Sequence, residues 1–224
     1  MEISLLTEFP NAILIAGVVL VGLHLANILY DGGLQHWLSR KMGHLAGAGG
    51  YVLCLYMFSS WHWPVILSAS FLVLLFGARI IAPKTFRGVG GTGRPTAWAE
   101  IWYPLSGTAV LIWLWAFLDK AALAVTCVCF MGAGDAITGI VRSKFCTTPQ
   151  KHWSGSIAML GTCLLLAWCF ASPLWLGVIA AGIVVITEWL CGDVGKIRFL
   201  DDNLAIPLVS AAVFTGGLYS LGLL

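Results

Sequence analysis

Gly134-Asp135-Ala-Ile-Thr138-Gly-Ile-Val-Arg142-Ser-Lys144-Phe-Cys-Thr-Thr-Pro-Gln-Lys151-His152-Trp-Ser-Gly155-Ser156 links two apolar runs and decides what kind of chain this is. A carboxylate stands inside the first run, about 10 Å from the run's end by rise per residue. The stretch then leaves through a loop carrying Arg142, Lys144 and Lys151 and enters the next run at Gly155-Ser156. Working outward, apolar runs of membrane-spanning length recur near 11–30, 43–60, 64–81, 101–118, 121–141, 155–171, 174–190 and 204–222. An ionisable residue inside such a run is costly, so by default it marks a functional site and calls for a partner.

Composition agrees. Of 224 residues 59% are hydrophobic and 10% charged, with a mean hydropathy of +0.92, which excludes an ordinary soluble domain. The expectation is an all-α fold, a polytopic membrane helical bundle of about eight transmembrane helices, with residues 1–224 as a single integral-membrane domain. The connectors at 31–42, 82–100, 142–154 and 191–203, with Arg79 at their border, hold every Lys and Arg except Lys120. By the positive-inside rule that face is cytosolic and both termini lie on the non-cytosolic side. Trp61, Trp63, Trp98, Trp102 and Trp153 fall at predicted span ends, as an interfacial belt would. Glu2 and Glu8 in the first ten residues do not fit a cleavable signal. The seven cysteines lack metal-binding spacing and read as reduced apolar residues.

Four patches fall on the cation-bearing face. In Arg40-Lys41-Met-Gly-His44 the two cations and the imidazole share one flank of a helix and suit a phosphate chain, or else anchor the helix in the interface. The loop Lys84-Thr-Phe-Arg87-Gly-Val-Gly-Gly-Thr-Gly93-Arg94-Pro95 spells G-x-G-x-x-G, but no strand precedes it; it reads as a basic connector, or as a backbone nest for phosphates. Asp135, Thr138 and Arg142 form one helical stripe, and Lys151 and the helix start at Gly155-Ser156 add a cation and free N–H groups; the plainer reading is a structural Asp135–Arg142 pair. Finally, Glu188 closes one run and Asp201-Asp202-Asn203 opens the last. This is a hard-oxygen group suited to Mg²⁺, although one aspartate there needs no role beyond capping. Pro207 loosens the backbone a turn later. His24, His36, His62 and His152 read as packing or interfacial residues.

Arg40-Lys41-x-x-His44, Gly134-Asp135-Ala, Lys151-x-x-x-Gly155-Ser156, Glu188 and Asp201-Asp202-Asn203-Leu-x-x-Pro207-Leu, in this order from about residue 36 to 215, resemble the motif series of the CTP-dependent polyprenol kinases. That family comprises dolichol kinase, phytol kinase and CTP-dependent diacylglycerol kinase. Two places differ: Ser154 stands where the family usually has an acidic residue, and Arg142-Ser-Lys-Phe-Cys146 replaces a glycine-bracketed run. The resemblance implies CTP as phosphoryl donor, Mg²⁺ dependence and a lipid alcohol as acceptor.

The expected function is therefore transfer of the γ-phosphate of CTP to a polyprenol or related lipid alcohol at the cytosolic membrane face. Asp135, Asp202, Arg142 and Lys151 are the expected catalytic residues, and Asp135, Asp201, Asp202, Asn203 and Glu188 the expected metal ligands. Arg40, Lys41, His44, Gly134, Thr138, Gly155, Ser156 and Arg94 are expected to hold the nucleotide. The runner-up is a phosphatidate-type cytidylyltransferase forming a CDP-lipid, and behind it a transporter without chemistry. Expected partners are CTP, the lipid alcohol and membrane lipids, not nucleic acid, with self-association into a homo-oligomer left open. A prokaryotic plasma membrane is the first expectation, the endoplasmic reticulum the second.

Overall fold

The computed structural model describes residues 5–90, 98–148, 150–192, 195–197 and 199–224. Their helices form eight rods. They are α1 (Leu5–Asp31), α2 (His36–Met57), α3 (His62–Ile81), α4 (Ala99–Val110) running on into the π-helical Leu111–Phe117, α5 (Ala121–Cys129) running through the π-helical Phe130–Asp135 into α6 (Ala136–Arg142), α7 (Trp153–Phe170), α8 (Leu174–Leu190) and α9 (Asp202–Ser220). The fold is all-helical, and the described residues contain no strand beyond one isolated bridge between Cys191 and Ile197. Each rod coincides with one predicted apolar run, although α2 begins at His36 rather than near residue 43. That earlier start puts Arg40, Lys41 and His44 on one continuous helix.

Five segments are long and apolar enough to cross a membrane: Leu5–Asp31, His62–Ile81, Ala121–Arg142, Trp153–Phe170 and Asp202–Ser220. This is fewer than the eight expected: the α4 rod carries Glu100, Pro104 and the stretch Ser106-Gly107-Thr108, and the other two fall short by composition or length. In α2 the charges of Arg40 and Lys41 and the glycines at 43, 47, 49 and 50 dilute the apolar content. In α8 the apolar residues are dense but the helix is only 17 residues long.

One rod is central. From Leu123 to Gly132 every residue is buried, and α2, α4, α7 and α9 all pack on it. A helix apolar on every side and covered on every side is a core helix. The outer rods instead carry exposed apolar side chains, such as Leu14, Val21 and Leu25 on α1 and Val73 and Ile80 on α3. The consequence for function is positional. Asp135 belongs to the central rod, so the bundle surrounds the carboxylate instead of exposing it to lipid.

Small residues let the rods close. Gly50 of α2 faces α1, and a Cβ there would stand 2.6 Å from Val19 Cγ2, whereas Gly49 beside it faces open space. All seven cysteines are free, six of them buried. Gly50→Ala is expected to destabilise the protein by about 1–3 kcal/mol through overpacking. Gly49→Ala is expected to leave stability unchanged or slightly raised. Thermal unfolding in detergent, followed by tryptophan fluorescence, measures both.

Candidate functional site

The stripe Asp135, Thr138, Arg142 ends the central rod, and the structure sends its members to different neighbours. The carboxylate of Asp135, 2% exposed, pairs with Lys41 of α2. His44 Nδ1, one turn further along α2, lies 3.3 Å from the same oxygen. The lysine reaches it by crossing Gly139, where a Cβ would come within 2.8 Å of Lys41 Cε. A side chain at 139 would block that route, which is why a glycine stands one turn after the aspartate.

Arg142, at the other end of the stripe, does not bond to Asp135. Its Nη2 donates to Glu188 Oε1 of α8 at 2.9 Å and its Nη1 to the Gln150 carbonyl at 3.1 Å. Lys151 joins it, donating to Glu188 Oε1 at 2.6 Å and also to the Glu188 backbone carbonyl. Glu188 is 1% exposed, and two cations on one carboxylate offset the cost of its burial. The Asp135–Arg142 pair considered from spacing is thus replaced by two separate pairs, Asp135–Lys41 and Glu188–Arg142.

Asp202 completes the group. One carboxylate oxygen from each of Asp135, Glu188 and Asp202 lies within 4.8 Å of the other two. Residues 67 positions apart in sequence, on α8, α9 and the central rod, therefore converge on one point. Among the described residues Asp202 has no ion-pair partner within bonding distance, and its neighbour Asn203 donates to it from Nδ2 at 3.2 Å. Asn203 Oδ1 is buried with no hydrogen-bond partner. Three oxygens so close together, with an orphaned amide oxygen beside them, form a donor set that could hold one divalent cation of the oxygen-seeking kind.

Several expected site residues have other duties. The Asp201 side chain caps α9, accepting from Asn203 N at 2.9 Å and Asn203 Nδ2 at 2.6 Å, and it lies outside the carboxylate trio. Both capping bonds fall on Oδ1, which ties that oxygen to the start of α9. Thr138 Oγ1 donates to the Gly134 carbonyl at 2.7 Å within its own helix, so this hydroxyl is not presented to a ligand. Gly134 and Gly155 are contact glycines: Cβ atoms there would sit 3.1 Å from Cys163 Sγ and 3.0 Å from Arg142 Nε. Ser156 keeps a buried hydroxyl without a partner. Arg40 is half-buried and makes no hydrogen bond or ion pair with a described residue, although it lies beside Lys41.

Half of the glycine-rich loop is pinned. Gly88 N donates to Asn27 Oδ1 at 2.8 Å, Asn27 Nδ2 donates to the Thr85 carbonyl at 2.6 Å, and Ser39 Oγ donates to the Gly88 carbonyl at 2.5 Å. The backbone groups a phosphate nest would use at Gly88 are therefore spent on α1 and α2. Gly93 and Arg94 lie outside the described residues.

Two features were not legible from spacing. Pro207 cannot donate to the Asn203 carbonyl one turn back, and Ser106 Oγ of α4 donates to it instead at 2.7 Å. Tyr103 packs against His44, ring centroids 5.2 Å apart, and its hydroxyl is buried without a partner. A Tyr-Pro pair inside an apolar run is the one signal that could have drawn attention to it.

Comparison with family models, with curated proteins and with solved structures finds no match to any of them. Lys41→Met leaves the Asp135 carboxylate buried with only the His44 imidazole nearby, and is expected to cost about 3–5 kcal/mol of stability. The double variant Lys41→Met with Asp135→Asn is expected to recover most of that loss. A double-mutant cycle of thermal unfolding in detergent reads the coupling.

Proposed function

We propose that the chain is a CTP-dependent kinase that transfers the γ-phosphate of CTP to a polyprenol or related lipid alcohol at the cytosolic face of a membrane. The observation that carries this reading is the meeting of three acidic side chains, Asp135, Glu188 and Asp202, with three basic ones, Lys41, Arg142 and Lys151, in one cluster. Phosphoryl transfer needs little covalent chemistry from the protein. It needs positive charge on the phosphate oxygens, a proton acceptor and exclusion of water.

The paired state suits that need. Without a ligand the cations and carboxylates neutralise one another, which makes their burial tolerable. A triphosphate reaching the cluster offers the cations stronger bidentate and charge-assisted partners. Lys41, Arg142 and Lys151 would then turn to its oxygens, and Arg40 would join them from the same helix. The carboxylates so released would be free to hold Mg²⁺, which when bound supplies positive charge to the phosphates.

The lipid hydroxyl attacks the γ-phosphorus, forming the new O–P bond. The bond from that phosphorus to the β,γ-bridging oxygen breaks, and CDP leaves with the electron pair. The hydroxyl proton passes to Asp202, the carboxylate of the trio without a cation paired to it among the described residues. The full topology belongs to the same proposal: eight membrane crossings, both termini on the non-cytosolic side, and the cation-rich connectors in the cytosol. A prokaryotic plasma membrane fits best.

Purified protein supplied with γ-labelled or α-labelled CTP and geranylgeraniol tests the reading. Label is expected in the lipid from γ-CTP only. Label from α-CTP alone would identify a cytidylyltransferase, and label from neither, with any lipid alcohol or with ATP, would leave the chain without this chemistry. Asp202→Asn keeps the shape and removes the base, and is expected to lower kcat by roughly 10²–10⁴-fold with a smaller change in KM for CTP.

A further inference from the structure

A hollow begins where the charge cluster ends. It lies between the α1–α2 pair and the α3–α4 pair. Its floor is one face of α2, with Gly43, Gly47, Gly50 and Cys54 in line. From Gly43 to Cys54 it follows that helix for about 16 Å at the helical rise, roughly half the thickness of a bilayer's hydrocarbon core. Ile15 and Val19 form one side and Leu67, Phe71 and Leu75 the other.

Its polar groups are gathered unevenly. Along the walls Tyr51 and Ser68 satisfy each other through a 2.7 Å hydrogen bond, and Ser68 also donates to the Pro104 carbonyl at 3.1 Å. Glu100 is held by Arg79. The unspent polar groups sit at the cluster end, where His44 lines the hollow and also touches Asp135. Beside it Tyr103 has a buried hydroxyl with no hydrogen-bond partner among the described residues. An apolar slot with unsatisfied polar groups at one end is the shape of a site for a long apolar molecule with a polar head.

We propose that this hollow holds the acceptor: a single isoprenoid-type hydrocarbon chain lies between α1 and α3, beside the glycines of α2 on which the walls rest, with its terminal hydroxyl at His44, beside Asp135. The inference rests on the kinase reading for the fate of that hydroxyl. The width argues for one chain. A Cβ on Gly50 would meet Val19 at 2.6 Å and one on Gly47 would meet Tyr103 Cε1 at 2.7 Å, so both walls already touch the floor. Two acyl chains with ester carbonyls would need a broader slot and polar partners along its length, and the polar groups there are already bonded to one another. The half-buried Leu67 and Phe71 stand at the outer edge, where a chain could enter sideways from the bilayer.

Two measurements on the full chain in lipid nanodiscs test this. Leu67→Trp fills the end of the slot away from His44. It is expected to lower kcat/KM for twenty-carbon geranylgeraniol about tenfold or more while ten-carbon geraniol changes less than about twofold. Turnover of geraniol by the same variant shows that it is folded. Second, a geranylgeraniol analogue carrying a diazirine at its far end is irradiated with the unsubstituted protein, which needs no turnover. Labelling is expected on α1, α2 and α3, with competition by geranylgeraniol and not by diacylglycerol. Labelling confined to α7, α8 and α9, or equal competition by diacylglycerol, would overturn the proposal. So would an unchanged chain-length profile in Leu67→Trp while γ-phosphate transfer proceeds, which would spare the kinase reading. Labelling of α1–α3 with no transfer to any alcohol would do the reverse.

Discussion

Charge neutralisation inside an apolar bundle is the constraint on which the rest depends. A carboxylate buried to 1–2% exposure, as Glu188 and Asp135 are, survives as a charge only where cations meet it at bonding distance. Lys41 ties α2 to the central rod, Arg142 ties the end of α6 to α8, and Lys151 ties the loop before α7 to the same glutamate. These three pairs bring together helix ends that lie far apart in sequence. Apolar packing closes the bundle, and the ion pairs decide how its helix ends are aligned.

The backbone around the cluster is irregular in ways a lipid-facing surface would not tolerate. A π-helical stretch, Phe130–Asp135, leads into Asp135, and Pro207 frees the Asn203 carbonyl for Ser106. Both lie where protein covers them, so the backbone groups they release find partners inside the bundle. The wider π turn changes the angle at which the following residues leave the helix, and the carboxylate at its end faces α2, α8 and α9 together.

Much of this was legible in the sequence. The apolar runs predicted each rod, and the scarcity of charge singled out Asp135, Glu188 and Asp202, because a bundle rarely buries such residues without purpose. Other assignments did not survive contact with neighbours. Spacing put Thr138 on the same face as Asp135, but a hydroxyl on a helix can turn back to its own carbonyl, and Thr138 does. Asp201 and Asp202 look equivalent in sequence, yet the first residue before a helix has free N–H groups to bond and the next does not, so Asp201 caps and Asp202 joins the cluster. Gly134 and Gly155, expected to hold the nucleotide, stand where a Cβ would crowd Cys163 and Arg142.

What the sequence determined by itself is the class of molecule and its cast of ionisable residues: helical rods long and apolar enough to cross a membrane, with acids and bases gathered at one set of connectors. Hydropathy and helical period are local properties, and a single chain displays them in full. Which base answers which acid was decided only by the tertiary structure. Lys41 precedes Asp135 by 94 positions and Arg142 precedes Glu188 by 46, and spacing along one helix says which way a side chain points but not which helix stands opposite. That choice follows from how the rods pack, through contacts such as the bare Gly139 that lets a lysine pass and the glycine face of α2 that leaves a slot beside it.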